Sequence, residues 1–204
     1  RLSLVGSEMC IRDRSIPLFV TGRINQPQEA ELILARGQAD VCGMTRALIC
    51  DPLMPAKTLD GRAEDVRACI ACNQACIGHF HKGLPISCIQ HPETGRELHY
   101  GNLQPTLKRR RIMVVGGGPA GMKAAAVAAQ RGHDVTLFEA SGQLGGQVLL
   151  AQLLPRRSEF GGASTNLQRE MTLAGVRVLR NTRVDRALVE QQRPDHVIIA
   201  TGAE

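Results

Sequence analysis

Four cysteines lie within twenty residues of one another, with two, three and eleven residues between successive members. Three thiolates close together, with a fourth from a more distant loop, suit the corners of an iron–sulfur cubane. Such clusters take soft ligands and tolerate irregular backbone. The spacing therefore favours a 4Fe–4S cluster. Its predicted ligands are Cys69, Cys72, Cys76 and Cys88.

A structural zinc site is the alternative for the same cysteines. Zinc sites usually contain two CxxC pairs or mix cysteine with histidine, whereas here only Cys69 and Cys72 form such a pair. The neighbouring His79 and His81 keep a mixed zinc site open. The remaining cysteines have no partner pattern and are interpreted as incidental or core thiols. They are Cys10, Cys42 and Cys50.

A glycine-rich loop at Gly116, Gly118 and Gly121 follows an apolar run at residues 112–115. Strand, loop and the Ala-rich helix after it form the arrangement that binds the diphosphate of a dinucleotide. The first glycine permits the turn, the second lets phosphate approach the backbone, and the third lets the helix pack closely. Glu139 follows at the distance where an acidic residue binds a ribose 2′-hydroxyl, which disfavours NADP. These residues alone leave FAD and NAD open.

The segment before the cysteines predicts a β-α-β unit. Residues 15–24 and 40–44 are predicted strands, and residues 28–36 between them are a predicted helix closed by Gly37. Strands joined in this way are usually parallel. Residues 45–52 are predicted as a loop or a short helix.

Helical and irregular stretches surround the two motifs. Residues 53–67 predict a helix interrupted near Gly61, and residues 68–101 show little periodicity, so something other than a large core must hold them. The basic run at residues 108–111 is interpreted as a solvated linker. The other predicted elements are helices at 119–131 and 167–174 and strands at 112–115, 134–139, 176–179 and 196–200.

The composition argues against several function classes. The 204-residue chain has a net charge of +6, but only 2% of its residues are aromatic, which argues against stacking on single-stranded nucleic acid. No apolar run reaches the roughly 18 residues of a membrane span. Clustered cysteines without a secretory signal indicate a reducing compartment, so we expect a cytoplasmic protein. The expected partner is a small-molecule substrate, with no nucleic acid and no membrane.

The order of these motifs resembles that of the 2,4-dienoyl-CoA reductase and trimethylamine dehydrogenase family, over about residues 16–204. The resemblance implies an α/β fold class: the C-terminal end of a TIM barrel, an Fe–S cluster segment, and a partial Rossmann-like FAD-binding domain. The cysteine spacing is similar to the dienoyl-CoA reductase branch. The implied divisions are a non-native leader (1–14), the last FMN-binding barrel units (15–67), the cluster segment (68–107) and the first half of the FAD-binding domain (108–204).

Residues that match the barrel of this family are implied to bind the FMN phosphate. Residues 19–24 are similar to barrel strand seven and its loop, and residues 40–52 to strand eight and the following turn. Phosphate sites after these two strands are common in such barrels. Arg46 is the main expected ligand, because a guanidinium can grip phosphate through two hydrogen bonds. The implied FMN-binding residues are Gly22, Arg23, Thr45 and Arg46.

Residues after the cysteines match the FAD-binding half of the same family. The Ala-Thr-Gly stretch that ends at Gly202 marks flavoproteins with two dinucleotide-binding domains, which favours FAD over NAD at this first site. The Gly-Gly-Gln stretch at residues 145–147 belongs to the same match, and Val184 is implied to contact the adenine through its backbone. The implied FAD-binding residues are Gly116, Gly118, Pro119, Ala120, Gly121, Glu139, Gly146, Gln147, Val184, Thr201 and Gly202.

The resemblance implies an oxidoreductase that passes electrons from NAD(P)H to FAD, through the cluster to FMN, and on to an enoyl or dienoyl C=C bond. Amine dehydrogenases and N-demethylases of the same family are one alternative, and a zinc-stabilised binding module is the non-enzyme alternative. The first six barrel strands and a second dinucleotide motif do not appear in the sequence. No catalytic residue is therefore predicted, and the chain by itself is expected to be inactive.

Overall fold

The computed structural model describes residues 16–203, which form a mixed α/β structure with two parallel sheets. The leader predicted at residues 1–14 lies outside the described residues. Within the described part of the chain, no helix is both long enough and apolar enough to cross a membrane.

The first sheet has two strands, β1 (Phe19–Thr21) and β2 (Val41–Gly43), joined by α1 (Pro27–Ala35). The helix begins within one residue of its predicted start. A proline occupies its first turn, and the Glu29 carboxylate accepts the backbone N–H of Gln26 at 3.2 Å. The predicted parallel β-α-β unit is confirmed, and its strands are shorter than predicted because only three residues of each are paired.

Short helices follow, with the cysteines in the loops between them. The interruption predicted near Gly61 is present: this glycine has a φ of +73° and ends the preceding helix, after which only one 3-10 turn forms. Asp51 is 1% exposed, and its carboxylate accepts Lys57 Nζ at 2.6 Å and the backbone N–H of Arg67 at 2.8 Å. The elements are α2 (Thr45–Cys50), α3 (Met54–Leu59), the 3-10 turn (Ala63–Asp65), α4 (Ile77–Phe80) and α5 (Glu97–Tyr100).

The second sheet has four parallel strands in the order β5-β4-β3-β6. All four were predicted, to within one residue at each end. Arg111, which the sequence places in the linker, is instead the first residue of its strand, because its N–H donates to the Asp195 carboxylate at 2.7 Å. The strands are β3 (Arg111–Val115), β4 (Asp134–Phe138), β5 (Arg177–Leu179) and β6 (His196–Ile199).

Four helices accompany this sheet. One of them begins six residues before its predicted start at 167, because its first turns contain Gly, Ser, Thr and Asn, which have weak helix propensity. Another was not predicted; there the Asp185 carboxylate caps the helix by accepting the Leu188 N–H at 2.8 Å. The helices are α6 (Pro119–Gln130), α7 (Val148–Ala151), α8 (Gly161–Leu173) and α9 (Arg186–Gln192).

The main core lies between the four-stranded sheet and the helices α6 and α8, which pack against each other. Aliphatic side chains and methionines fill it, as the low aromatic content requires. Alanines of α6 allow the close approach. The buried members are Ile112, Val114, Met122, Ala125, Ala126, Val135, Leu137, Leu144, Leu167 and Met171.

Replacing Leu137 by alanine is expected to lower the free energy of unfolding by about 3 kcal/mol, because this fully buried side chain would leave a cavity. Leu173→Ala is the matched control. Leu173 is 58% exposed at the end of α8, and we expect less than about 1 kcal/mol there. Urea unfolding followed by circular dichroism measures both. Equal destabilisation would contradict the position of the core.

Candidate functional site

The four predicted cluster ligands lie in irregular loops, and all four thiols are half-buried. Main-chain hydrogen bonds fold these loops onto each other. The Ala71 N–H donates to Cys69 Sγ at 3.4 Å. The Ser87 N–H donates to the Ala75 carbonyl at 2.8 Å, which brings the segment of the fourth cysteine beside that of the third.

The thiols are close enough to alter one another's ionisation. Burial raises the pKa of Cys69 and of Cys72, and the neighbouring charge of Cys88 adds to it in both cases. Cys76 raises the pKa of Cys72 in the same way. Cys88 differs, because the Cys50 thiol, two backbone N–H groups and an arginine favour its thiolate and lower its pKa to about 6. These mutual effects place the four sulfurs around a common space.

The histidines near the cysteines do not complete a compact site. His79 Nδ1 lies 2.9 Å from the Pro85 carbonyl of its own loop, and His81 is exposed. Between residues 16 and 203, no three Cys, His, Asp or Glu side chains are close enough to hold one metal ion. The donor set is therefore four thiols that surround a space wider than a single ion needs.

The glycine-rich loop lies where β3 ends and α6 begins, beside the end of β6. Ligands of open parallel sheets bind at such a point, where the connections leave in opposite directions. Gly116 has a φ of +109°, and a side chain there would overlap the Ala200 carbonyl. A side chain at Gly121 would overlap the Gly116 carbonyl. The fold itself therefore requires both glycines.

Gly118 is required for a different reason. Its φ of −74° and ψ of 176° are open to any residue, and a Cβ placed there would meet no atom within 4 Å. It caps the N-terminus of α6, where backbone N–H groups and the helix dipole favour an anion. The packing of the chain does not need this glycine, but a diphosphate that approaches the helix does.

Glu139 lies against the same loop. Its carboxylate accepts the N–H of Gly117 at 2.7 Å and that of Ser141 at 2.7 Å. Burial alone would raise the pKa of Glu139, but these hydrogen bonds outweigh it and hold the pKa below its ordinary value. The ionised carboxylate has further lone pairs, which can accept ribose hydroxyls.

Other predicted FAD-binding residues approach the glycine loop from the opposite side. A Cβ on Gly146 would lie 3.1 Å from the Cα of Gly118, so these backbones are in close contact. The Gln147 side chain donates to the Ala203 carbonyl at 3.3 Å. The stretch after β6 is thereby tied to the start of α7.

The remaining predicted FAD contacts share one edge of the sheet. Pro119 and Ala120 form the exposed first turn of α6, Thr201 and Gly202 are exposed after β6, and Val184 is half-buried after β5. Because the strands are parallel, all five follow carboxyl ends at the same side. The structure therefore brings the predicted residues to one rim of the sheet.

Both arginines predicted for the FMN phosphate contact later segments of the chain. Arg46, in the first turn of α2, donates through Nη1 to Asn73 Oδ1 at 2.7 Å. Arg23 forms an ion pair with Glu159. The barrel-like segment is thus bonded to the cysteine loops and to the FAD-like domain. The other two predicted phosphate-binding residues, both exposed, are Gly22 and Thr45.

A polar junction that the sequence did not predict fixes the cysteine loops to α8. Glu170 accepts Arg67 at 2.8 Å and Lys123 at 2.9 Å, and each of the three side chains is 23% exposed or less. Arg67 also donates to the carbonyls of Cys50 at 2.9 Å and Gln90 at 3.2 Å. One carboxylate therefore links the entry to the cysteine loops with the helix that starts at the glycine loop.

Neutral amides complete this junction. Asn166 Nδ2 donates to Gln90 Oε1 at 2.7 Å and to the Ala68 carbonyl at 3.0 Å. Gln90 Nε2 donates to the same carbonyl at 3.1 Å and to Cys50 Sγ at 3.3 Å. Since Ala68 precedes the first ligand and Gln90 follows the last, α8 holds both ends of the loops. The only sequence signal was the four-residue spacing of Asn166 and Glu170 on one helix face.

Comparison with known proteins gives relatives along nearly the whole chain. Residues 110–204 match the family model described as pyridine nucleotide-disulphide oxidoreductase. The NADH oxidase of Thermoanaerobacter brockii is 40% identical over 191 residues, covering 93% of this chain and 29% of that protein. The N,N-dimethylglycine/sarcosine dehydrogenase of Chromohalobacter salexigens is 41% identical over 193 residues, covering 93% and 28%. The chain spans less than a third of these relatives.

A solved structure is similar over the same extent. The complex of 2-naphthoyl-CoA reductase with 2-naphthoyl-CoA superposes with a TM-score of 0.92 at 32% identity. The match covers 98% of this chain and 31% of that one. Both sheets and the cysteine loops lie within it.

Replacing Asn166 by leucine is expected to lower the free energy of unfolding by about 1–3 kcal/mol, because it leaves the buried Gln90 amide without its partner. Exchanging the pair (Gln90→Asn with Asn166→Gln) keeps both amides and their combined length, and should recover most of the loss. Thermal unfolding of the three proteins measures this. An Asn166→Leu protein as stable as the parent would contradict the junction.

Proposed function

We propose, since the chain belongs to the NADH:flavin oxidoreductase family with a 4Fe–4S cluster, that it holds the cluster of an iron–sulfur flavoprotein between two flavin sites. In this proposal residues 15–67 end an FMN-binding TIM barrel, residues 68–107 are the cluster segment, and residues 108–204 begin a Rossmann-like FAD-binding domain. The strand order β5-β4-β3-β6 supports the last assignment, because it is the 3-2-1-4 order of a doubly wound nucleotide-binding sheet.

The main support is the position of the four thiols. On one side their loops are bonded to Arg46 of α2, which follows the predicted FMN-phosphate loop. On the other side they are bonded to Asn166 of α8, which packs against the glycine-loop helix α6. A cluster bound there would lie between the two predicted flavin sites.

The donor set suits a 4Fe–4S cluster better than zinc. Tetrahedral zinc, with Zn–S bonds of about 2.3 Å, needs sulfurs about 4 Å apart. A cubane bonds each cysteine through a different iron and accepts wider spacing. The described residues offer no compact group for one ion. Donors to the sulfurs of Cys69 and Cys88 add to the support, because they stabilise thiolates.

The glycine loop suits the diphosphate of FAD. Backbone N–H groups in the first turn of α6 would hold the phosphates in the open space at Gly118. The Glu139 carboxylate would accept a ribose hydroxyl. The FMN phosphate would lie near Arg46, at the start of α2.

The proposed activity is NAD(P)H-dependent reduction of an enoyl or dienoyl C=C bond in a small-molecule substrate. Bound FAD, cluster and FMN would supply the change from two-electron to one-electron transfer. The names of the similar NADH oxidase and 2-naphthoyl-CoA reductase support this direction of flow. We propose a cytoplasmic location, because the described cysteines are free thiols and suit a reducing compartment.

Oxidation of a methylated amine is the second candidate, because the similar dimethylglycine/sarcosine dehydrogenase is 41% identical. Anaerobic spectra of the full-length protein distinguish the two. Bleaching of the flavins by NADH or NADPH that an enoyl-CoA thioester reverses would support reduction. Bleaching by a methylated amine alone would support the alternative.

Replacing Cys88 by serine is expected to remove most of the bound iron and the visible cluster absorption, because three thiolates remain. Cys42→Ser is the matched control, since the Cys42 thiol donates to the Ala30 carbonyl at 3.8 Å and is not a predicted ligand. Iron analysis and spectra of anaerobically purified full-length protein provide the measurement. Zinc in place of iron in the unaltered protein would refute the cluster and favour a zinc-stabilised binding module.

Replacing Gly118 by alanine is expected to weaken FAD binding at least about tenfold while the free energy of unfolding falls by less than about 1 kcal/mol. The added methyl meets no protein atom but occupies the space of the diphosphate. Gly121→Ala is the contrasting variant, because its methyl overlaps the Gly116 carbonyl and should destabilise the fold. Flavin fluorescence titration and urea unfolding separate the two effects. Unchanged FAD affinity in Gly118→Ala would place the diphosphate elsewhere.

A further inference from the structure

We propose that Arg46 is also a positioning residue for the cluster: its guanidinium holds the loop between the second and third cysteines and makes the cluster easier to reduce. The sequence assigned Arg46 only to the FMN phosphate. The new role rests on the proposed function, because it requires a cluster at the four cysteines.

The contact is a direct hydrogen bond between two segments of the chain. Arg46 lies in the first turn of α2 and is half-buried. Its Nη1 donates to Asn73 Oδ1 at 2.7 Å, across 27 residues of sequence. Asn73 directly follows Cys72, so the guanidinium lies one residue away from a predicted ligand.

The loop that receives this bond has an uncommon backbone. Ala71 and Asn73 have φ values of +52° and +58°, which cost L-residues about 1–2 kcal/mol each. The Asn73 carbonyl accepts the Gly78 N–H at 2.8 Å, and a Cβ on that glycine would lie 3.0 Å from the same oxygen. A side-chain bond to Asn73 offsets part of this cost and orients the residues on either side of Cys72.

The charge of Arg46 is not neutralised by its partner. Within residues 16–203 its hydrogen-bond partner is a neutral amide, whereas the guanidinium of Arg67 is paired with Glu170. The positive charge acts on the nearest thiols: it lowers the pKa of Cys69 against the larger effect of burial, which raises it. A reduced cluster has one more negative charge than the oxidised form, so a nearby cation favours reduction.

The experiment is an EPR-monitored redox titration of the anaerobic full-length protein. Arg46→Gln is expected to shift the cluster midpoint to more negative potential, and Arg46→Lys, which keeps the charge, should stay close to the parent. Arg36→Gln is the matched control: it removes the same charge at an exposed position at the end of α1 and should leave the midpoint unchanged. All proteins are compared without FMN, so that altered flavin binding does not contribute.

Asn73→Gly separates the hydrogen bond from the charge. Glycine keeps the left-handed backbone but removes the acceptor. We expect an altered EPR line shape and a smaller negative shift than in Arg46→Gln, because the guanidinium is no longer held. This variant and Arg46→Lys also test the proposal if Arg46→Gln fails to retain iron.

The failure of this role differs from the failure of the proposed function. If the parent, Arg46→Gln and Arg36→Gln clusters have the same midpoint, the role of Arg46 is refuted while the cluster stands. If the unaltered protein contains no iron and no EPR signal on reduction, the proposed function itself is refuted.

Discussion

The relative position of the two candidate cofactor sites depends on one carboxylate. Glu170 accepts both Arg67, at the entry to the cysteine loops, and Lys123, on the helix that begins at the glycine loop. All three side chains are largely buried, so removing any one would leave an uncompensated charge in a poorly hydrated place. The ion pairs therefore specify a single arrangement of the cysteines relative to the glycine loop, whatever they contribute to net stability.

The cysteine loops have little regular structure of their own, so other segments must satisfy their polar groups. Asn166 and Gln90 bond the Ala68 carbonyl, and Arg67 bonds the Gln90 carbonyl. These partners lie on α8 and on the loops themselves, so the shape of the segment is imposed from outside. A cluster bonded to four thiolates would add a constraint at its centre. Electron transfer between fixed sites benefits from such a frame, because its rate depends on distance.

The sequence predicted what local patterns determine. The four strands of the larger sheet, the turn at Gly116 and the helix after it follow from short apolar runs and glycine spacing. The start of α8 was missed because weak helix formers occupy it, and packing against α6 overrides their preference. The junction could not be predicted, because Arg67 and Glu170 are 103 residues apart and neither belongs to a motif. The contact of Arg46 with Asn73 escaped prediction for the same reason.

The glycine motif shows how one pattern contains two separate requirements. Gly116 and Gly121 are needed by the protein alone, because any side chain there collides with a backbone carbonyl. Gly118 meets nothing within 4 Å, so its missing side chain is explained only by a ligand that the chain does not contain. A sequence match treats all three alike, whereas the structure separates folding from binding. The free space at Gly118 is therefore stronger support for a bound diphosphate than the motif as a whole.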